Sequence, residues 1–82
     1  MGRYIVFPEL DASHRLQDQI EMQWFDASSY LNAAAQAQPH FFSIYGLHGC
    51  DWRVEAGGAS KLITDAELKE HLGENYLPPP TQ

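Results

Sequence analysis

The reactive side chains of this chain gather in one short window: His40, His48, Cys50 and Asp51. A zinc centre needs His, Cys or carboxylate donors converging tetrahedrally. His48-Gly49-Cys50 lacks the Cys-x-x-Cys spacing, and along a straight strand His40 would stand about 25 Å from His48. Only His48, Cys50 and Asp51 could then share an ion, with His14 or His71 as outside donors. A Cys50 nucleophile with His48 as its base requires a hydrogen-bonded pair, an orienting third group and an oxyanion site. Residues two apart on a tight turn seldom meet that way. The expectation is therefore polar turn residues, with no metal, cofactor or catalytic group. Asp65, Glu67, Glu70 and Glu74 recur at helical spacing with Lys69 among them, which reads as a solvated face or an acidic contact strip for a basic partner. Gly57-Gly58 has neither the lysine nor the spacing of a phosphate loop.

The elements that must position these residues follow from hydrophobic period. Arg3–Phe7 is rich in β-branched and aromatic residues and ends at Pro8, the pattern of a first strand. Residues 9–18 are polar and read as a long connection. Ile20–Phe25 alternates apolar and polar, a half-buried second strand with Ile20, Met22 and Trp24 on one face. A helix from Asp11 to Trp24 is the competing reading, since Leu16, Ile20 and Trp24 are spaced i, i+4. The clean alternation after Gln19 favours the strand. At Asp26 the period changes to helical. Asp26 is the expected cap, with Ala27, Tyr30, Leu31, Ala34 and Gln38 on the packed side. Pro39 is expected to close the helix.

Phe41–Leu47 and Trp52–Ala56 then read as a hairpin about His48-Gly49-Cys50-Asp51. That register sets Leu47 against Trp52 and Tyr45 against Val54 on one face, with Phe42, Ile44, Arg53 and Glu55 on the other. Residues 57–60 read as a flexible connection. Thr64-Asp65-Ala66-Glu67 is a capping box, Ile63 and Leu68 are its hydrophobic staple, and Gly73 ends the helix. The predicted fold class is α+β: an antiparallel sheet of about four strands, an alanine-rich helix on one face and a short C-terminal helix, in the order β-β-α-β-β-α. The domain spans residues 1–77, and residues 78–82 form a proline-rich tail.

A chain of 82 residues makes one domain, and ten aromatics suffice for its core. The net charge of −6 rests on eleven carboxylates against five scattered cations, which disfavours direct contact with nucleic acid. It favours a basic protein surface instead, including one that itself holds nucleic acid. A single cysteine excludes an internal disulfide and suits a reducing cytosol. The opening apolar run is too short for a signal peptide, and no segment is long enough to span a bilayer. A cytoplasmic protein without membrane contact is expected.

More large aromatics are present than so small a core hides, Phe25, Phe41 or Phe42, and Tyr76 among them. A protein-binding patch is the functional reading of that surplus. Its candidate residues are Phe42, Ile44, Arg53 and Glu55 on the second sheet face, with Glu21, Asp51, Glu67 and Glu70 as exposed acids.

The layout of Arg3-Tyr4-Ile5-Val6, Ile20–Trp24, the alanine-rich segment and Phe41–Ala56 resembles small acidic anti-CRISPR proteins of phages. That resemblance covers about two thirds of the chain and rests on layout. The Thr64–Gly73 helix and the triproline tail are not part of it. It implies a non-enzymatic, stoichiometric inhibitor acting in the cytoplasm of a bacterial host. Such an inhibitor docks on a CRISPR effector subunit, against basic DNA-binding residues, and blocks DNA binding or nuclease recruitment. The alternatives are a generic interaction module or homodimer using an open sheet edge and the Phe42/Ile44 face, and a metal- or thiol-dependent enzyme using His48, Cys50 and Asp51.

Overall fold

A computed structural model describes residues 2–76. Its order is β-β-α-β-β-α: β1 (Gly2–Glu9), β2 (Gln23–Ala27), α1 (Tyr30–Tyr45), β3 (Asp51–Ala56), β4 (Ala59–Ile63) and α2 (Asp65–Leu72), followed by a single 3₁₀ turn, Gly73–Asn75. The four strands form one antiparallel sheet in the order β2-β1-β3-β4. The α+β class and element order are those the hydrophobic periods predict. The expected tail at 78–82 lies outside the described residues.

Strand pleating sorts the sheet into two faces. Val6 stands opposite Val54, and Trp52 opposite both Pro8 and Ile63. These side chains meet Ala33, Ala34, Ala37 and Phe41 of α1 and Leu68 of α2 in one buried core. The three alanines let the helix backbone approach the sheet, and Phe41 fills the space beside Trp52 with ring centroids 5.2 Å apart. Both helices therefore sit on the same side. They are joined by Leu68 and by a 3.0 Å contact between His71 Nε2 and Asn32 Oδ1.

Two boundaries differ from the periodic reading. Asp26 does not cap α1. β2 runs on to Ala27, buried opposite Gly2, and leaves Asp26 exposed beside Arg3. The cap is Ser29, whose hydroxyl accepts from the Asn32 amide at 3.1 Å. The second difference is larger: α1 continues through Pro39 to Tyr45 and ends on Gly46 in the left-handed conformation (φ 71°), whose N–H donates to the Phe42 carbonyl. Phe41–Leu47 is thus not a strand. Burial of Phe41 against the sheet, worth about 2 kcal/mol and reinforced by the aromatic contact, offsets part of the helical cost of proline.

The hairpin forms one strand later than expected. β3 pairs with β4 through Gly57-Gly58, both at positive φ (58° and 83°), between the paired Ala56 and Ala59. That is the geometry of a two-residue type I′ turn, which suits the twist of the flanking strands and is open to glycine without strain. α2 matches its sequence signature. Thr64 Oγ1 accepts from the Glu67 amide at 3.2 Å, Glu67 Oε1 accepts from the Thr64 amide at 3.3 Å, and Ile63 and Leu68 are both buried.

Residues 10–22, between the first two strands, are neither strand nor one continuous helix. Three successive i→i+3 bonds, from His14 to Asp11, Gln17 to His14 and Gln19 to Leu16, turn the chain back on itself. Leu16 is buried, and Leu10 and Ile20 pack on the core, so the loop is anchored at the end of the sheet.

Candidate functional site

Three of the reactive residues of the sequence, His48, Cys50 and Asp51, lie at the junction of α1, β3 and α2, where each is engaged by its surroundings. Asp51 Oδ1 accepts from the Asp65 amide at 2.8 Å and so tethers the first turn of α2. Tyr76 donates its hydroxyl to Asp65 Oδ1 and is hydrogen-bonded by the buried side chain of Gln38, only 2% exposed. Lys69 stands 3.7 Å from Asp65 and lies over the Tyr76 ring. The His48 ring packs edge-on between Phe42 and Tyr76. Burial pushes the Cys50 thiol up to about 11, with the charges of Asp65 and Asp51 adding to the effect. Burial and then the bond to Asp65 raise the Tyr76 phenol to about 12. A nucleophilic cysteine needs the opposite environment, one that favours the thiolate. His40 stands in α1, between the rings of Phe25 and Phe41, rather than on a strand. Among the described residues no three His, Cys, Asp or Glu side chains converge as a metal-ligand set.

The more informative surface is the sheet face turned away from the helices. Its rows follow from the register: Trp24 beside Ile5, Ile5 beside Glu55 and Glu55 beside Ser60, then Phe7 beside Arg53 and Arg53 beside Leu62. Neither helix packs on this side. Trp24 and Met22 are each 59% exposed, an arrangement that leaves an indole and a thioether in water. Two ion pairs frame the apolar rows. Arg53 Nε meets Glu9 Oε2 at 3.0 Å, and Arg3 Nε lies 3.7 Å from Asp26 with its guanidinium over the Trp24 ring. Both arginines on the face are thereby engaged, while Glu55 forms no ion pair among the described residues. A recess of about 230 Å³ lies at the hairpin end, bounded by Arg3, Ile5, Trp24 and Glu55 with the Gly57-Gly58 turn.

The candidate residues of the sequence divide between this face and others. Arg53 and Glu55 do lie opposite the core face, as their alternation with Trp52 and Val54 requires. Phe42 and Ile44 do not join them, because their segment is helical. Phe42 is half-buried against His48, and Ile44 is 57% exposed on α1. Asp51 also points to the outer side by register but is occupied by the α2 amide. Glu21 is exposed in the loop, one residue before Met22. Glu67 is held in the capping box, and Glu70 is exposed on α2.

The residues missed by sequence reasoning are Ile5, Phe7, Met22, Trp24 and Leu62. A signal for them existed. Tyr4-Ile5-Val6-Phe7 is an unbroken apolar run, and in an antiparallel sheet such a run makes both faces apolar. Neither helix of the described residues covers that second apolar face.

Comparison with known protein families, curated proteins and solved structures finds no match for this chain. No helix of the described residues is long and apolar enough to cross a membrane.

Proposed function

We propose that this protein acts by binding another protein through the uncovered face of its sheet and carries out no reaction of its own. The observation that supports this reading is the apolar patch of Ile5, Phe7 and Trp24, with Leu62 across Arg53 on the same face and with Trp24 and Met22 exposed, on a domain this small. Contiguous apolar surface of this kind marks interfaces, and tryptophan and arginine are the side chains most enriched among interface anchors. The partner is a basic surface rather than a second copy. Each copy carries −6, so two copies repel, and Glu55, which forms no ion pair among the described residues, offers a carboxylate to an incoming cation.

The narrower reading is inhibition of a CRISPR effector by covering its basic DNA-binding residues, and it rests on the layout resemblance together with this acidic, aromatic face. A plaquing assay tests it: phage are plated on CRISPR-immune hosts expressing the chain. Wild type and Ile44→Asp should both restore plaques, whereas Trp24→Asp should not while keeping its circular dichroism spectrum. Immunity left intact by the wild-type chain across all system types would overturn the inhibitor reading.

A further inference from the structure

At the Glu9 end of β1 the uncovered face runs into a second recess, of about 210 Å³, walled by Phe7, Leu10, Ile20 and Met22, with Glu9 and Gln17 supplying its polar groups. Leu10 and Ile20 also pack on the core, which fixes their side of the recess. Met22, largely exposed, has the soft, unbranched side chain that adapts to whatever it covers. An apolar cavity of about 150 Å³ holds a benzene ring. This recess is therefore the size for one aromatic or large aliphatic side chain, not for a length of peptide.

Its charge setting is specific. Residues 9–22 carry Glu9, Asp11, Asp18 and Glu21 against the single guanidinium of Arg15, half of the chain's net charge of −6. Glu9 is held by Arg53, but Asp11, Asp18 and Glu21 are exposed and form no ion pair among the described residues. Each adjoins in sequence a residue that lines the recess. Interface size points the same way. Four strands spaced about 4.8 Å apart and about five residues long present roughly 300 Å². A stable complex buries about 800 Å² per partner, so a docking surface here has to extend from the sheet onto the adjoining loop.

We infer that this recess receives a single apolar side chain, of phenylalanine size, from a segment of the partner protein with arginine or lysine on either side of it. This rests on the docking reading above and adds the sequence character of the bound segment. The same carboxylates disfavour a nucleic acid or an anionic bilayer at this place.

The test uses the full chain, nitrogen-15 labelled, titrated to millimolar concentration with N-acetylated, C-amidated tripeptides. Arg-Phe-Arg should shift the amides of Phe7, Leu10, Gln17, Ile20 and Met22. It should bind at least about tenfold more tightly than Glu-Phe-Glu at low salt, a gap that narrows as salt rises. Arg-Ala-Arg should leave those amides in place. Met22→Lys should abolish the Arg-Phe-Arg shifts, and the pair Asp18→Lys with Glu21→Lys should reverse the charge preference. Equal binding of the two charge types, shifts elsewhere, or no shift with any peptide would overturn the proposal. Light scattering that shows a dimer abolished by Met22→Lys would also overturn it, by giving the recess to a second copy. If the peptides fail while Trp24→Asp still abolishes plaque restoration, the recess assignment falls and the docking face stands. If both fail, the docking reading falls with it.

Discussion

Replacing Pro39 should stabilise the protein, and the expected gain follows from its place in α1. Pro39 lies well inside a helix that runs from Tyr30 to Tyr45, and its side chain is exposed. It has no N–H for the Ala35 carbonyl, and its ring crowds that carbonyl. An interior proline costs about 3 kcal/mol relative to alanine. Against this, proline restricts the unfolded chain, which offsets about 1 kcal/mol of that cost. Because the side chain touches little, Pro39→Ala forfeits almost no packing. The net expectation is about 2 kcal/mol of added stability. Unfolding entropy near 2.1 cal/mol/K per residue makes about 0.17 kcal/mol/K for this 82-residue chain, so Tm should rise by about 12 °C. Scanning calorimetry with matched circular dichroism melts measures it directly. Pro39→Gly is the internal control and should gain about 1 kcal/mol less, because an interior glycine is that much worse than alanine. A Tm unchanged or lowered by Pro39→Ala would refute the claim that α1 passes through residue 39 under tension from its proline.

The remaining predictions concern the turn, the tether and the buried thiol. Gly57→Asn should leave Tm within a degree or two, since Asn-Gly suits a type I′ turn, whereas Gly57→Val should cost about 1–2 kcal/mol in urea unfolding at a φ of 58°. Asp51→Ala removes the acceptor of the partly buried Asp65 amide and should cost about 1–2 kcal/mol by the same assay. Cys50 should react with a disulfide reagent at pH 8 about tenfold more slowly than an unfolded cysteine, because its thiol is raised from 9.0 to about 11 and the loss of thiolate outweighs the gain in nucleophilicity, and denaturant should restore the rate. The same shift sets an alkaline limit. The folded state holds its proton more tightly than the unfolded one, so the contribution of Cys50 is intact below pH 9 and is lost as pH rises through about 11. Tyr76, raised from 10.0 to about 12, extends the decline upward. Cys50→Ala should flatten the lower part of that decline, and Tyr76→Phe the upper part, in Tm measured from pH 8 to pH 12.

Which elements could be read in advance depended on whether the signal was local. The capping box of α2 was legible because Thr64 and Glu67 satisfy each other's amides within one turn, and Ile63 and Leu68 close over them. The two faces of β3 were legible because alternation alone separates Trp52 and Val54 from Arg53 and Glu55. The end of α1 was not, since proline at position 39 is a correct local stop signal. Gly46 carried the competing signal, a left-handed cap one residue after Tyr45. Choosing between them requires knowing that Phe41 finds Trp52 and that Gln38 finds Tyr76, both contacts distant in sequence. Once the helix was ended too early, Phe42 and Ile44 were assigned to the sheet, and the Gly57-Gly58 turn was read as a linker. The outer sheet face was half legible: Arg53 and Glu55 were in place, but the apolar rows of β1 and β2 beside them were not.

From sequence alone, the chain specifies a small acidic α+β domain with four strand-like segments and two helices. It also specifies the capping box of α2 and the alternation that divides β3 between two faces. These are properties of a residue and its near neighbours, set by dihedral preference and by hydrogen bonds a few positions apart. Tertiary structure alone decided that α1 overrides Pro39, that the helices share one side of the sheet, and that Cys50 and Asp51 are consumed by internal packing. It also decided that Ile5, Phe7, Met22 and Trp24 are left facing water. The reason is that burial is a property of pairs far apart in sequence, and a run such as Tyr4-Ile5-Val6-Phe7 cannot indicate which of its two faces a helix will cover.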